Sequence, residues 1–234
     1  MLSKDHRPNG CSVGQCRLID KFKDRPNNHG TMAGASLAAA LIYLDRSAEL
    51  EEVARVFEGF LGNRDAYAGF RYGGPEDDLT WQADPATPVG INPLSATING
   101  YDASGVLPDD QRRGGPFTWP PPKENYVYEA LQGAVVLATI LNNAGYTPFL
   151  WEDRAILRAY RWLRNVADYP PAGDDTFQLP LIEFHYGAQG WATERIRNGK
   201  NMGWTDWTHG QQQAATRPKP PRLIGSDRVT NNAE

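Results

Sequence analysis

Two side-chain amides and an imidazole, Asn27-Asn28-His29, stand directly before Gly30 and a small-residue run from Thr31 to Leu41. Ala and Leu favour helix, and small side chains let a neighbouring backbone approach closely. The trio is therefore expected at a helix N-terminus, where free N–H groups and the macrodipole favour an anion. From such a place an imidazole reaches a substrate proton and an amide holds a substrate carboxylate. An asparagine alone there is accounted for by capping. The chemical reading therefore needs partners from elsewhere in the chain.

A second reactive cluster precedes a later helical stretch. Arg112-Arg113-Gly114-Gly115 is followed by Trp119 to Pro122 and then by Lys123-Glu124-Asn125-Tyr126-Val127-Tyr128. If the helices that follow the two clusters run in the same sense, Asn, His, Arg and Tyr converge on one rim. Such a set suits β-elimination on a 4-linked uronate. That reaction removes the weakly acidic C5 proton beside a carboxylate and expels the C4 oxygen. Amides and Arg neutralise the carboxylate by preorganised electrostatics, and His29 titrates in the right range for a base. A tyrosine hydroxyl, ionised with help from a nearby arginine, can serve as base, acid or both, depending on whether the two groups leave from one face. The reaction asks for no metal and no cofactor.

The order of these motifs resembles the alginate lyase group of polysaccharide lyases: Asn27-Asn28-His29-Gly30 before a small-residue helix, then an arginine, then a tyrosine opening a later helix. The resemblance spans roughly Arg25 to Val166. It implies an incomplete α/α toroid, with the toroid's upstream helices absent from this chain, and an acidic polysaccharide as partner. It also implies that Asn28 and His29 meet the uronate carboxylate or its neighbouring proton, that Arg113 supports the charge, and that a tyrosine donates the proton. The substrate class implies an extracellular or periplasmic setting.

Tyr126 and Tyr128 lie two apart on one helix, about 200° apart around its axis, so only one faces the cleft. Tyr128, inside the first turn, is the expected donor because it is held more rigidly than a residue at the frayed edge. Asn27, Arg71, Trp119, Lys123, Tyr126 and His185 are the expected substrate-binding residues, with Arg113, Arg71 and Lys123 forming a positive patch. Two other readings stand beside this one: a glycoside hydrolase on a similar scaffold using Glu129 and Asp84, and a polysaccharide-binding module without turnover.

The elements that must position these groups are helical. Apolar residues at helical spacing predict helices over 30–44, 47–61, 126–143 and 151–168, paired as two helical hairpins. Residues 63–122 lose that periodicity but keep aromatics such as Trp81, Tyr101 and Phe117. They are expected to form a long ordered loop over a cleft. Residues 179–186 read as a short strand or a buried loop. The fold class is thus all-α, with an irregular arm over 1–26, a toroid-like domain over 27–212 and a disordered tail over 213–234. Cys11 and Cys16 are open to either a small disulfide loop or two free thiols. A net charge of −4 leaves no electrostatic footprint for nucleic acid. No apolar run reaches the ~20 residues of a membrane span.

Overall fold

In the computed structural model, described over residues 17–71, 77–187, 189–191 and 196–210, eight helices and one two-stranded ribbon follow in order. The four long helices lie close to the sequence expectation: α2 (Asn28–Tyr43), α3 (Ser47–Leu61), α5 (Tyr126–Asn143) and α6 (Trp151–Asn165). Among the described residues the fold is all-α apart from β1 (Thr97–Ile98) and β2 (Tyr101–Asp102). Cys11, Cys16 and the tail expected over 213–234 lie outside the described residues.

Small residues decide how the two hairpins meet. A Cβ on Gly133 of α5 would lie 2.6 Å from the Met32 backbone nitrogen and collide with the Thr31 hydroxyl. A Cβ on Gly34 of α2 would lie 3.1 Å from Leu137. Residue 31 thus meets 133, and residue 34 meets 137, so α2 and α5 run in the same direction. Their N-termini fall at one end of the protein. Helix α3 packs against α2 and α6, completing the apolar interior with Val53, Val56, Phe57 and Leu61 fully buried. Gly62, at φ +124°, stops α3 in a conformation that a side chain would strain.

Four expectations are corrected. The arm is not irregular up to residue 26: α1 (Leu18–Asp24) is a helix whose Phe22 is buried and whose ring fills the space a Gly34 side chain would take, 2.6 Å away. One buried residue in seven leaves too little periodicity to read. Residues 179–186 are neither strand nor loop but most of α7 (Gln178–Tyr186), entered through a 3₁₀ turn at Gly173–Phe177. Leu179, Leu181 and Ile182 are all fully buried, so no polar stripe marks the helix, and Pro180 sits in the first turn, where its missing N–H costs nothing. Helix α6 ends at Asn165 rather than 168. There the chain turns so that the Tyr169 N–H donates to Leu163 (2.7 Å) and its carbonyl accepts from the Tyr128 hydroxyl.

The fourth correction concerns 63–122. Its described part is an ordered excursion, as expected, but it carries regular elements. Asn99 and Gly100, at φ +51° and +83°, form the turn between β1 and β2, as Asn-Gly pairs do. Further on lies the short helix α4 (Pro108–Gln111) with Pro108 at its first position. A backbone bond ties the excursion to α3, Ile91 N–H to Phe60 O at 2.8 Å, and a side-chain bond closes the excursion on itself, Trp81 Nε1–H to Gly115 O at 2.9 Å.

Candidate functional site

The start of α2 is built by its own sequence and by α4. Asn27 is extended (φ −138°), and its Oδ1 accepts the N–H groups of His29 and Gly30 at 3.1 and 3.2 Å. That is an N-cap. Its Nδ2 donates to Asp109 Oδ2 at 2.7 Å, and the Asn28 N–H donates to Asp110 Oδ1 at 3.2 Å. The acceptor drawn to this helix terminus is therefore a carboxyl group of the protein itself. Asn27 and Asn28 are both buried, so folding has already fixed their side chains.

Immediately after α4 the chain makes a 3₁₀ turn over Arg112–Gly114 and delivers the two arginines in different directions. Arg112 turns inward, with Nε 2.5 Å from Asp109 and Nη2 3.0 Å from Asp77; Asp77 also meets Arg25 at 3.3 Å. Arg113 turns to the rim, where its Nη2 donates to Asn28 Oδ1 at 3.4 Å and its guanidinium lies 4.1 Å from the centre of the Tyr126 ring. His29 follows Asn28 on the exposed side of the helix start. Partial enclosure of the ring, then the charges of Arg113 and Lys21, hold its imidazole below the ordinary histidine value, with Asp109 opposing. A neutral imidazole at neutral pH has one unprotonated nitrogen, which can take a proton. Asn28, His29, Arg113 and Tyr126 thus gather where the N-termini of α2 and α5 meet.

Tyr128 does not join them. It is 1 % exposed, packs against Tyr160 and Tyr169, and gives its hydroxyl proton to the Tyr169 carbonyl. Burial drives its ionisation well above the ordinary tyrosine value. The two tyrosines do face opposite ways, but the exposed one is Tyr126, 41 % accessible. Rigidity, the reason for expecting Tyr128 at the cleft, here accompanies burial in the core.

The remaining expected contacts divide by place. Trp119 stacks on Tyr101 (centroids 4.5 Å apart, planes 16° apart) at the tip of the loop that leads from Arg113 to Tyr126. Lys123, on the same loop, reaches Asp168 at 3.4 Å in solvent. Arg71 is exposed and anchored by its N–H to Asp24 O at 2.8 Å, beside the end of α1 and so near the α2 start. His185 lies elsewhere. It stacks on Phe149 at 3.5 Å near the C-terminal end of α7. Phe149 lies in the turn between the C-terminal end of α5 and the start of α6, so His185 sits away from the N-terminal end of α5 that contributes to the rim.

A polar network beneath the rim was not legible in the sequence. Glu129 pairs with Lys200, whose N–H also donates to Gln132 Oε1 at 3.0 Å. Gln132 Nε2 donates to Asp175 at 2.8 Å, and Gln178 does so at 3.3 Å. Burial raises the Asp175 carboxyl to about 6. Lys200 is 68 and 71 residues from its partners, and no local spacing announces such a contact. Glu129 is thus engaged by Lys200. Asp84, its partner in the hydrolase reading, is caught in its own turn by Thr87 and by the Ala86 N–H at 3.0 Å. Among the described residues no group of three His, Cys, Asp or Glu could hold a metal ion, and no helix is long and apolar enough to cross a membrane.

Comparison of the chain with protein-family models, with curated proteins and with solved structures finds no match in any of the three.

Proposed function

We propose that the protein is a polysaccharide lyase that cleaves a 4-linked uronate polymer by β-elimination at the rim formed by Asn28, His29, Arg113 and Tyr126. The observation that carries this reading is the meeting of Arg113 with both Asn28 (3.4 Å), 85 positions away in the chain, and the Tyr126 ring (4.1 Å). An amide, a guanidinium, an imidazole and a phenol on one rim supply the four functions that elimination requires. Asn28 and Arg113 neutralise the uronate carboxylate, which stabilises charge as it spreads from C5. His29 takes the C5 proton, a C4=C5 double bond forms, and the C4–O bond breaks. Tyr126 gives its proton to the departing oxygen. Trp119, stacked with Tyr101, offers an aromatic face to a neighbouring sugar ring, and Lys123 and Arg71 add positive charge for a polyanion. The same-sense pairing of the two hairpins supports an arrangement like part of an incomplete α/α toroid.

Replacing His29 tests the assignment of the base. The side chain is exposed and belongs to the first turn of a helix whose cap bonds use only its backbone N–H. His29→Ala is expected to leave thermal unfolding within a few degrees. Turnover of a uronate polymer should fall by the ~10²–10⁴-fold typical of a lost acid–base group. In the wild type, kcat/KM should rise with pH along a limb whose midpoint lies below the ordinary histidine value, because only the neutral ring accepts a proton. A variant that melts early but retains its specific activity would remove His29 from the mechanism.

A further inference from the structure

We infer that Asp110, with Asp109 beside it, is a positioning residue: the two carboxyl groups of α4 grip the start of α2 and hold Asn28 and His29 against Arg113. The inference rests on the lyase reading for its consequence in turnover, but its geometry stands apart from that reading.

The grip is reciprocal. Asp109 takes the Asn27 side chain (2.7 Å) and Asp110 takes the Asn28 backbone N–H (3.2 Å), while Arg113, three residues after Asp110, returns to the Asn28 side chain (3.4 Å). Asp109 keeps a counter-charge in Arg112 at 2.5 Å. Among the described residues Asp110 has none so close. Both carboxyl groups are fully buried, and Asp110 Oδ2 finds no hydrogen-bond partner among the described residues. An ionised carboxylate with one oxygen unpaired in a dry interior is costly, and an ionised Asp109 beside it adds repulsion.

Asp110 is therefore the uncharged member of the pair, and burial and Asp109 both push its ionisation upward. The groups that oppose them are the Asn28 N–H from α2 and Arg113 and Arg112 from the turn after α4. A neutral carboxyl still accepts the Asn28 N–H through Oδ1. It does so without placing a second negative charge beneath the rim, where it would compete with the substrate carboxylate for Arg113. The pair thus divides its work: Asp109 carries the charge that holds Arg112, and Asp110 supplies an acceptor that leaves Arg113 to the rim.

The distinguishing variants are Asp110→Asn, which keeps the acceptor, and Asp110→Ala, which removes it. The full chain is measured for kcat and KM on polyuronate, for the His29 ring titration by NMR, and for unfolding temperature across about pH 5–8. In Asp110→Ala, kcat should fall about 10²-fold, as for a reacting group displaced by about 1 Å, with KM within about threefold because Arg113 and Trp119 still bind. The His29 titration should move upward as the ring drifts from Arg113. Asp110→Asn should keep turnover within about fivefold and leave the His29 titration in place.

The sign of the pH effect is set by the folded protein holding the Asp110 proton more tightly than the unfolded chain. Wild-type stability therefore falls, relative to Asp110→Asn, as pH rises above the ordinary aspartate value. The unfolding-temperature advantage of Asp110→Asn should widen from about pH 5 to about pH 8. Three outcomes overturn the inference: a folded Asp110→Ala with wild-type kcat, an Asp110→Asn as impaired as Asp110→Ala, or an advantage that narrows as pH rises. A wild type that forms no double bond would end the lyase reading alone. In that case the His29 titration and the unfolding difference still decide whether the grip exists.

Discussion

Tyr126→Phe is expected to abolish elimination while leaving binding of a uronate oligomer almost unchanged. Phenylalanine retains the ring on which the Arg113 guanidinium sits at 4.1 Å, and it removes only the hydroxyl that returns a proton to the leaving oxygen. Turnover should drop by ~10²–10⁴-fold, the usual worth of a general acid, with KM little moved because the cation–π contact and the Asn28–Arg113 pair survive. Tyr128→Phe is the control, and it should behave in the opposite way. Its hydroxyl serves the Tyr169 carbonyl inside the core, and an acceptor stripped of its donor there costs about 1–3 kcal/mol. The unfolding temperature should therefore fall by several degrees while turnover persists. A dead Tyr128→Phe beside an active Tyr126→Phe would place the donor in the core and refute a rim built on Tyr126.

A single methyl group at Gly133 should do more damage to the fold than any rim substitution. In an isolated helix, Gly→Ala is favourable by up to ~1 kcal/mol. Here the added carbon meets the Met32 backbone nitrogen at 2.6 Å, the Thr31 carbonyl carbon at 2.7 Å, and the Thr31 hydroxyl closer still. Backbone cannot swing aside as a side chain does, so α2 and α5 must separate. Overpacking of this kind costs about 3 kcal/mol, and for a chain of this size that lowers the unfolding temperature by about 6–12 °C. Because residue 31 lies one turn from Asn28 and His29, the same shift displaces the rim, and activity should fall below the melting point as well. A Gly133→Ala protein that melts later than the wild type would contradict the same-sense packing of α2 on α5.

What the chain reveals without its fold is limited by the reach of local patterns. The four long helices were legible because Val53, Val56, Phe57 and Leu61, and likewise Val127, Leu131, Ala134 and Val135, recur at helical spacing over more than two turns. The rim was legible as two clusters preceding two helices, and the packing of Gly34 and Gly133 brings those helix starts together. Helices α1 and α7 escaped because one is too short and the other too uniformly buried to show a stripe. The Asn99-Gly100 turn and Pro108 carried signals that the Gly- and Pro-rich surroundings obscured. The choice between the tyrosines turned on helix rotation. Tyr128 precedes Leu131 by three residues and belongs to the same buried stripe, so the packing that makes it rigid also removes it from the cleft. The Asp109–Asn27 and Lys200–Glu129 contacts join positions 82 and 71 apart. Only the fold creates such pairs.

The measurement that bears most directly on the central claim is the near-ultraviolet absorbance of purified full-length protein incubated with polyuronates such as alginate and glucuronan, with reducing ends counted in parallel. Elimination creates one conjugated C4=C5 uronate end for every chain cut, so absorbance and reducing ends should rise together. Both should stop in the His29→Ala and Tyr126→Phe proteins. Reducing ends that accumulate without the absorbance would mean hydrolysis, and bound polymer with neither signal would mean a module without turnover; either result contradicts β-elimination at the Asn28–His29–Arg113–Tyr126 rim.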